Sequence, residues 1–297
     1  MRSRYHQYIA IAAWVTSAAA TAAVNDIYPT DFIALPNGSL NLTIYAGHQK
    51  SSGPYTNGTR SPAGEIDINQ VVIRASRVFS VGQNDQYAWA PVMGIGQANV
   101  NANATLGSSV FGPGASGMVD LRLGNAFWFH IDRPNRTYGL IGLFAILPTG
   151  DYDSSRILNV GENRRRYVLS AGWMQPIGGK WLMEVSPEIA VYGDNEQYLG
   201  NKVRSQDNSY ALTTYLRYRQ SDIWQFYGGA QINRGGATRV NGASPTAGPD
   251  NTRLYLGTIL FASPKSHWQV RYSKDVKLEN GFRSDGELSL RYLMSFN

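Results

Sequence analysis

The sequence predicts an all-β protein: a transmembrane antiparallel β-barrel of about twelve strands behind an N-terminal signal peptide. The first observation is that segments of about ten residues alternate between apolar and polar side chains, as strands with two different faces do. The second is that short and long connections alternate along the chain. The third is an N-terminus that is basic, then apolar, and then rich in small residues.

Residues 1–23 are predicted to form a secretory signal peptide. Arg2 and Arg4 supply its basic region, residues 9–20 its apolar region, and alanines at 18, 20 and 22 its cleavage sites. A membrane anchor helix is the competing interpretation. The Ala-rich stretch contains Thr and Ser and runs directly into Asn25 and Asp26, which favours the signal peptide.

Twelve strands are expected within the barrel, which the sequence predicts over residues 40–297. Their approximate bounds are 40–48, 65–79, 87–96, 117–131, 137–148, 164–176, 181–193, 209–220, 223–234, 252–262, 267–276 and 286–296. The connections are alternately short, with Pro, Gly or Asp, and long. Short periplasmic turns and long outer loops are typical of outer-membrane barrels, and an even strand count places both termini in the periplasm.

The last strand illustrates the two faces. Leu288, Leu290, Tyr292, Met294 and Phe296 share one parity, and Glu287, Ser289, Arg291, Leu293 and Ser295 the other. Successive side chains of a strand point to opposite faces. We therefore expect the first set to face lipid, with aromatic side chains near both rims, and the second to face the lumen.

Two strands, the second and the fifth, fit this pattern less simply, whereas the fourth fits it cleanly. In the second strand Ile66 and Ile68 are out of phase with Val71 and Ile73, which predicts a bulge near Asn69. In the fourth, His130 is assigned to the lumen and Ile131 to the lipid. The fifth is apolar on both faces, and its inner parity is taken to be Ile141, Leu143, Ala145 and Leu147.

Residues 24–39 precede the first strand and leave two interpretations open. They form either a periplasmic segment or a plug within the lumen. A barrel of about twelve strands is narrower than an open porin of sixteen, so a short segment is enough to block it.

The polar parity places a set of charged residues in the lumen. The candidate lining is Asp120, Arg122, Arg164, Arg166, Glu184, Glu188, Arg217, Arg219, Arg253, Arg271, Glu287 and Arg291. Two interpretations remain: the charges pair across the bore and brace it, or they select a passing solute. An excess of arginine favours anions.

Composition excludes several functions. The absence of cysteine removes disulfides and thiol chemistry, and no catalytic residues, cofactor or metal are predicted. The net charge of +6 is dispersed, so nucleic-acid binding is not expected. For an outer-membrane hydrolase, His48 is the one histidine near the outer rim, and the chain lacks a G-x-S-x-G motif.

Several motifs resemble the meta-pathway phenol-degradation family of outer-membrane proteins. They are Gly117-Met-Val-Asp-Leu-Arg-Leu-Gly124, Leu147-Pro-Thr-Gly-Asp-Tyr-Asp153, Asn159-Val-Gly-Glu-Asn163, Tyr192-Gly-Asp-Asn195 and Arg234-Gly-Gly-Ala-Thr238. The resemblance covers roughly residues 40–297 and implies a FadL-like transporter of hydrophobic or aromatic compounds. It supplies no catalytic residues. One departure concerns the last residue. Barrels of this kind usually end in an aromatic residue that the assembly machinery recognises, whereas here Asn297 follows Phe296.

The function expected from this resemblance is passive uptake of small hydrophobic or aromatic compounds through the Gram-negative outer membrane. The alternatives are a general or anion-preferring porin and, further off, an outer-membrane lipid hydrolase. The partners expected are outer-membrane lipid, a small hydrophobic or aromatic solute and the barrel assembly machinery.

Overall fold

The computed structural model describes residues 27–60, 64–82, 85–103 and 114–296. Twelve long strands form its wall. They are β1 (Leu40–Thr56), β2 (Glu65–Arg77), β3 (Tyr87–Asn103), β4 (Leu121–Asp132), β5 (Thr137–Leu147), β6 (Arg166–Gly178), β7 (Trp181–Tyr192), β8 (Ser209–Arg219), β9 (Trp224–Gly235), β10 (Asn251–Ser263), β11 (Ser266–Leu278) and β12 (Gly281–Phe296). The signal peptide predicted for residues 1–23 lies outside the described residues.

The sheet closes on itself. Each strand pairs antiparallel with its neighbours, and β12 pairs with β1 through Leu40 opposite Phe296, Ile44 opposite Tyr292 and His48 opposite Leu288. Closure leaves the long sheet without unpaired edges. The prediction of a twelve-stranded antiparallel barrel is confirmed. Within the described ranges, no helix is long and apolar enough to cross a membrane.

The two faces of the wall differ as the alternation predicts. On β12, Glu287, Ser289 and Arg291 are buried, whereas Leu288 and Leu290 are exposed on the outside. The same division holds on β11, where Gln269, Arg271 and Ser273 are buried while Trp268, Val270 and Tyr272 are exposed. On these two strands the outer surface is therefore apolar and the inner one polar, and an apolar outer surface is the arrangement required by a lipid exterior.

Aromatic side chains surround the rim that carries the short turns. Five pairs stack or tilt against each other there: Phe79 with Trp89, Phe129 with Trp173, Trp181 with Tyr218, Trp224 with Phe226, and Trp268 with Tyr292. Toward the long-loop rim, Tyr167, Tyr210 and Tyr272 are exposed on the outside. Aromatic residues at both levels match the interfacial girdles of outer-membrane barrels.

The bulge predicted in β2 is wrong. The pairing of β2 with β1 and with β3 runs without a register shift, so Ile66 and Ile68 face inward and Val71 and Ile73 outward. Both isoleucines are buried because long loops cover the barrel at this level. They pack there against Val100, Leu158 and Phe282.

The facing predicted for β5 is also wrong. Ile141 and Leu143 are exposed on the outside, while Tyr138, Leu140 and Ile146 are buried in the interior. Both parities are apolar, so alternation alone did not distinguish them. At the end of β4 a register shift between Trp128 and His130 reverses the faces.

This shift in β4 places the ring of His130 on Trp173, with centroids 5.4 Å apart, on the outside of the wall. Ile131 instead packs against the interior cluster that contains Trp128 and Leu140. The predicted lumen position of His130 and lipid position of Ile131 are therefore exchanged.

Short strands extend the wall and cover its long-loop end. Thr59–Arg60, Phe79–Val81 and Ala115–Met118 pair with β1 or β3. A separate three-stranded sheet of Asn195–Tyr198, Lys202–Gln206 and Thr238–Val240 joins the loop after β7 to the loop after β9. Residues 27–39 precede β1 and contain a single turn of 3-10 helix at Pro29–Phe32. They lie inside the barrel, in contact with side chains of the inner wall.

Candidate functional site in the barrel lumen

The N-terminal segment, residues 27–39, is fixed in the lumen by one carboxylate. Asp31 Oδ1 lies 2.6 Å from Arg74 Nη2 on β2 and 2.6 Å from Arg291 Nη2 on β12. Burial raises the pKa of Asp31, but the charges of Arg291 and Arg74 more than offset that effect and hold the pKa well below its ordinary value. Asp31 is therefore an anion that links the segment to two strands.

Residues beside Asp31 add further contacts with β11 and β12. Gln269 Nε2 and Arg291 Nη1 donate to Thr30 Oγ1 over 2.6 and 2.5 Å, and His267 Nε2 lies 3.1 Å from the same oxygen. The guanidinium of Arg271 lies over the ring of Tyr28, 4.1 Å from its centroid. Cation–π contact and charge-assisted hydrogen bonds therefore act on adjacent residues of the segment.

The backbone of the segment is tied to the opposite wall. Trp128 Nε1 donates to the Phe32 carbonyl over 2.9 Å, and Arg133 Nη1 donates to the Ala34 carbonyl over 2.7 Å. The ring of Phe32 lies so close to Gly172 on β6 that a Cβ there would be 2.8 Å from it. The lumen at this level, toward the short-turn rim, is therefore filled by protein.

Above the N-terminal segment, toward the long loops, the lumen opens into a cavity of roughly 1320 Å³, including the part open to solvent. Its lining combines arginines and acids (Arg164, Arg166, Arg234, Arg253, Glu162, Glu188, Asp275) with apolar and amide side chains (Ala190, Tyr192, Leu278, Phe282, Gln231, Asn233). The cavity reaches both sides of the barrel, because β6 and β7 contribute to it as well as β10 and β11.

One side of the lumen carries paired charges. Arg217 Nη2 lies 2.5 Å from Glu184 Oε1, and both side chains are almost fully buried. Arg253 Nε lies 2.8 Å from Asp275 Oδ1, and its Nη1 lies 3.4 Å from Glu287 Oε2. These predicted lumen residues meet carboxylates rather than open solvent, which is the arrangement expected of charges that brace a bore.

The side of the lumen formed by β4 to β7 carries an apolar surface beside Arg122, Arg166 and Glu188. Toward the short-turn rim, Leu140 and Trp128 pack with Phe32 of the N-terminal segment. Toward the cavity, Ile146, Val168 and Ala190 form a cluster that Phe144 and Tyr192 extend. An apolar surface on β4 to β7 therefore faces the charged surface on β7 to β12 across the lumen.

The loops that follow β5 are held by the motifs that carry the family resemblance. Asp120 accepts hydrogen bonds from the backbone nitrogens of Gly150 and Glu162, each over 2.8 Å. Asp151 Oδ2 accepts one from the Met118 nitrogen over 2.6 Å. Asp120 was predicted to line the lumen, and its carboxylate instead fastens the loop after β5 to the start of β4.

Glu162 lines the cavity, but it was not among the lumen residues predicted from the sequence. Its carboxylate lies 2.8 Å from Arg164 Nη2 and 3.3 Å from Arg166 Nη1. Burial raises the pKa of Glu162, but Arg166 and Arg164 bring it down to about 2. The two arginines border the cavity but their charges are directed to this loop acid.

The remaining predicted residues fall in different places. Glu188 is half-buried at the edge of the cavity, and Arg271 lies under Tyr28 with Glu287 at 3.9 Å. Arg219 lies near the short-turn rim and pairs with the exposed Asp222 at 3.0 Å. Arg122 is buried on β4 against the ring of Phe144.

Asp31 and Arg74 also escaped the sequence prediction. Arg74 has the same parity on β2 as the buried Val72. The alternation of side chains along β2 was therefore the one local signal that Arg74 faces the lumen. Asp31 lies in an irregular segment whose partners are 43 and 260 residues away, so no local pattern indicated them.

Comparison with solved structures identifies the fold. The chain superposes on the crystal structure of an outer membrane channel from Pseudomonas putida F1 with a TM-score of 0.85 and 24% sequence identity, covering 91% of this chain and 100% of that one. The β domain of the Bordetella autotransporter BrkA matches with a TM-score of 0.55, 11% identity and 88% and 100% coverage. The transport unit of AIDA-I from Escherichia coli matches with a TM-score of 0.53, 9% identity and 98% coverage of both chains.

The barrel has the fold and the apolar exterior of Gram-negative outer-membrane channels, and the outer membrane is its location. No functionally curated protein matches the sequence. A family model does: "Putative MetA-pathway of phenol degradation" matches residues 50–292, and the chain therefore belongs to that family.

Proposed function

We propose that the protein is a passive outer-membrane channel for small hydrophobic or aromatic compounds. The observation that carries the proposal is the two-sided lumen. The apolar surface formed by Phe144, Ile146, Val168 and Ala190 continues from the cavity toward Leu140, and the paired charges occupy the opposite side. An apolar solute gains by leaving water for such a surface, whereas a hydrated ion gains nothing there.

The N-terminal segment is the proposed constriction of this path. It fills the lumen toward the short-turn rim and is held by side-chain contacts from β2, β4, β11 and β12. In this account residues 27–39 act as a plug, and the solute passes when the segment shifts. No energy source is needed, because movement follows the concentration gradient.

A general or anion-preferring porin is the main alternative, suggested by the excess of arginine. Pairing of Arg217, Arg253 and Arg291 with carboxylates speaks against it, since paired arginines present little net charge to a passing anion. Single-channel recording in planar bilayers separates the two functions. A nearly silent barrel supports the proposal, and a steady, salt-dependent conductance supports the porin.

A hydrolase is the less favoured alternative, and we propose that the protein is not an enzyme. His48 Nδ1 lies 2.8 Å from Asn69 Oδ1 on the outside of the wall, which resembles two members of a catalytic triad. Ser116 borders the same groove but lies three strands away from His48 in the register, roughly 14 Å at about 4.8 Å a strand. If wild-type protein hydrolyses a lipid ester and His48→Ala abolishes that activity, this proposal is wrong.

The proposed partners of the barrel, besides its solute, are outer-membrane lipid and the barrel assembly machinery. The exposed apolar outer face of β11 and β12 supports lipid contact. The aromatic Phe296, exposed at the end of β12, supports recognition during assembly.

A further inference from the structure

We propose that the lumen contains a binding site for the carboxylate of a small aromatic acid, formed by Arg122 together with Phe144. The inference rests on the proposed channel function and specifies one class of solute for it. Arg122 lies on β4 with only 8% of its surface exposed, and its guanidinium carbon is 4.1 Å from the centroid of the Phe144 ring. Stacking of a guanidinium on an aromatic face fixes the orientation of its donors.

Among the described residues, Arg122 differs from the other buried arginines of the wall because no carboxylate forms an ion pair with it. Within the part of the chain that the structure describes, no carboxylate lies within 4.0 Å of Arg122, and its buried Nε has no hydrogen-bond partner. Arg217 and Arg291, by contrast, have carboxylate oxygens at 2.5 and 2.6 Å. A buried cation is stabilised when it is paired with an anion, so an anionic ligand is favoured at Arg122.

The charges that act on Arg122 from other strands of the barrel leave a positive balance. They are Glu188 on β7, Arg74 on β2 and Arg166 on β6. Asp31 is shared by Arg74 and Arg291, and Glu162 by Arg164 and Arg166, so each carboxylate offsets only one of its two arginines. Glu188 is the one carboxylate among the charges that act on Arg122, and the described residues show no ion pair between the two.

An apolar surface beside Arg122 fits an aromatic ring. The Phe144 ring lies flat against the wall over Gly124 and Gly142, where a Cβ would be 2.1 and 2.7 Å from ring atoms. Only glycine leaves room for the ring at these two positions. Ile146 and Val168 belong to the same apolar cluster but are buried, whereas Phe144 is only half-buried. We therefore place the ring of the ligand against Phe144, where its carboxylate reaches Arg122.

The strand register places Arg122 at the level of the cavity. Arg122 is opposite Ile146, Ile146 is opposite Arg166, and Arg166 is opposite Tyr192, so the four lie at one level of the barrel. Arg166 and Tyr192 border the cavity. The proposed route of the solute therefore runs from the cavity to Arg122 along this level and does not cross the N-terminal segment.

Isothermal titration calorimetry on the purified full-length barrel in detergent tests the site, with benzoate, acetate and benzyl alcohol as probes. We expect benzoate to bind more tightly than either, because only benzoate has both the ring and the charge. Arg122→Met should weaken benzoate binding by at least about tenfold, the loss of a charge-assisted bond. Arg122→Lys should retain part of the affinity, and Phe144→Leu should bring benzoate closer to acetate.

Arg219→Met is the matched control, since it removes another arginine of the inner parity that lies near the short-turn rim, and its affinity for benzoate should equal that of wild type. The inference is overturned if benzoate does not bind, if Arg122→Met, Arg122→Lys and Phe144→Leu all bind benzoate as wild type does, or if acetate binds as tightly as benzoate. Uptake of the uncharged hydrocarbon toluene tests the proposed channel function separately, and either result can fail without the other.

Discussion

Asp31 Oδ1 and Arg291 Nη2 lie 2.6 Å apart although 260 residues separate them in the sequence. This ion pair joins the N-terminal segment to the strand that closes the barrel. Asp31 also binds Arg74, so a single carboxylate connects three parts of the fold. The account of a lumen closed by its own N-terminal segment depends on this residue.

Asp31→Asn should loosen the segment and raise the ionic conductance of the barrel. The substitution preserves size and removes the charge that both arginines contact, so the buried Arg291 and the half-buried Arg74 are left without their anion. Single-channel recording in planar bilayers should show frequent openings where wild type is nearly silent. Asp222→Asn, which removes the exposed partner of Arg219, is the control and should remain silent.

The same ion pairs predict how the closed state responds to acid. Because its native pKa is depressed, Asp31 contributes stability that is present above its unfolded pKa and is lost only as the pH falls through the lower native value. Conductance should therefore stay low from pH 8 down to about pH 4, the ordinary range of an Asp pKa. Opening of the barrel near pH 6 would contradict the assignment of Asp31 as the residue that holds the segment.

The buried ion pair of Glu184 and Arg217 should contribute strongly to the stability of the barrel. Arg217→Met leaves the Glu184 carboxylate buried without its partner, which should lower the free energy of unfolding by about 3–5 kcal/mol. The double variant Glu184→Gln with Arg217→Met should recover much of that loss. Urea titrations of the barrel in lipid vesicles measure both; equal stability of the single and double variants would contradict the pairing.

Leu290→Arg should impair assembly because Leu290 is exposed on the lipid face of β12. An arginine near the bilayer midplane costs about 2–4 kcal/mol. Ile223→Arg is the control, since Ile223 is exposed in a short turn at the rim where an arginine can reach water. The fraction of heat-modifiable, folded protein on gels should fall for the first variant only. Equal assembly of both would mean that the outward face of β12 is assigned wrongly.

Glu162 should make the loops above the cavity sensitive to strong acid. Its pKa of about 2 lies below the ordinary value, so it contributes stability above about pH 4.5 that disappears as the pH falls toward 2. The full effect is on the order of 3 kcal/mol. Proteolysis of the loops should be slow at pH 7 and fast near pH 2 in wild type, and already fast at pH 7 in Glu162→Gln.

The alternation of side chains sufficed to locate twelve strands, because lipid on one side and water on the other impose opposite polarities. It did not orient β5, where Ile141 and Ile146 are equally apolar although one faces lipid and the other the lumen. A narrow lumen that contains its own apolar surface removes the contrast on which the prediction relies.

The residues of the candidate site were harder to predict from the sequence than the strands. The parity of Arg217, Glu184 and Arg291 indicated an inward position, since an arginine in lipid is costly. Their partners depend on strand register and on an irregular segment, and neither is encoded locally. Asp120 shows the limit most clearly, because it has the expected parity but belongs to a loop contact.

The initial rate of toluene uptake by intact cells tests the central claim most directly. Cells that lack the barrel should be compared with cells that produce wild type and cells that produce Asp31→Asn, at equal amounts of folded protein. The account predicts that wild type accelerates uptake while its single-channel conductance stays low, and that Asp31→Asn is at least as fast. Uptake that is the same with and without the barrel would contradict it.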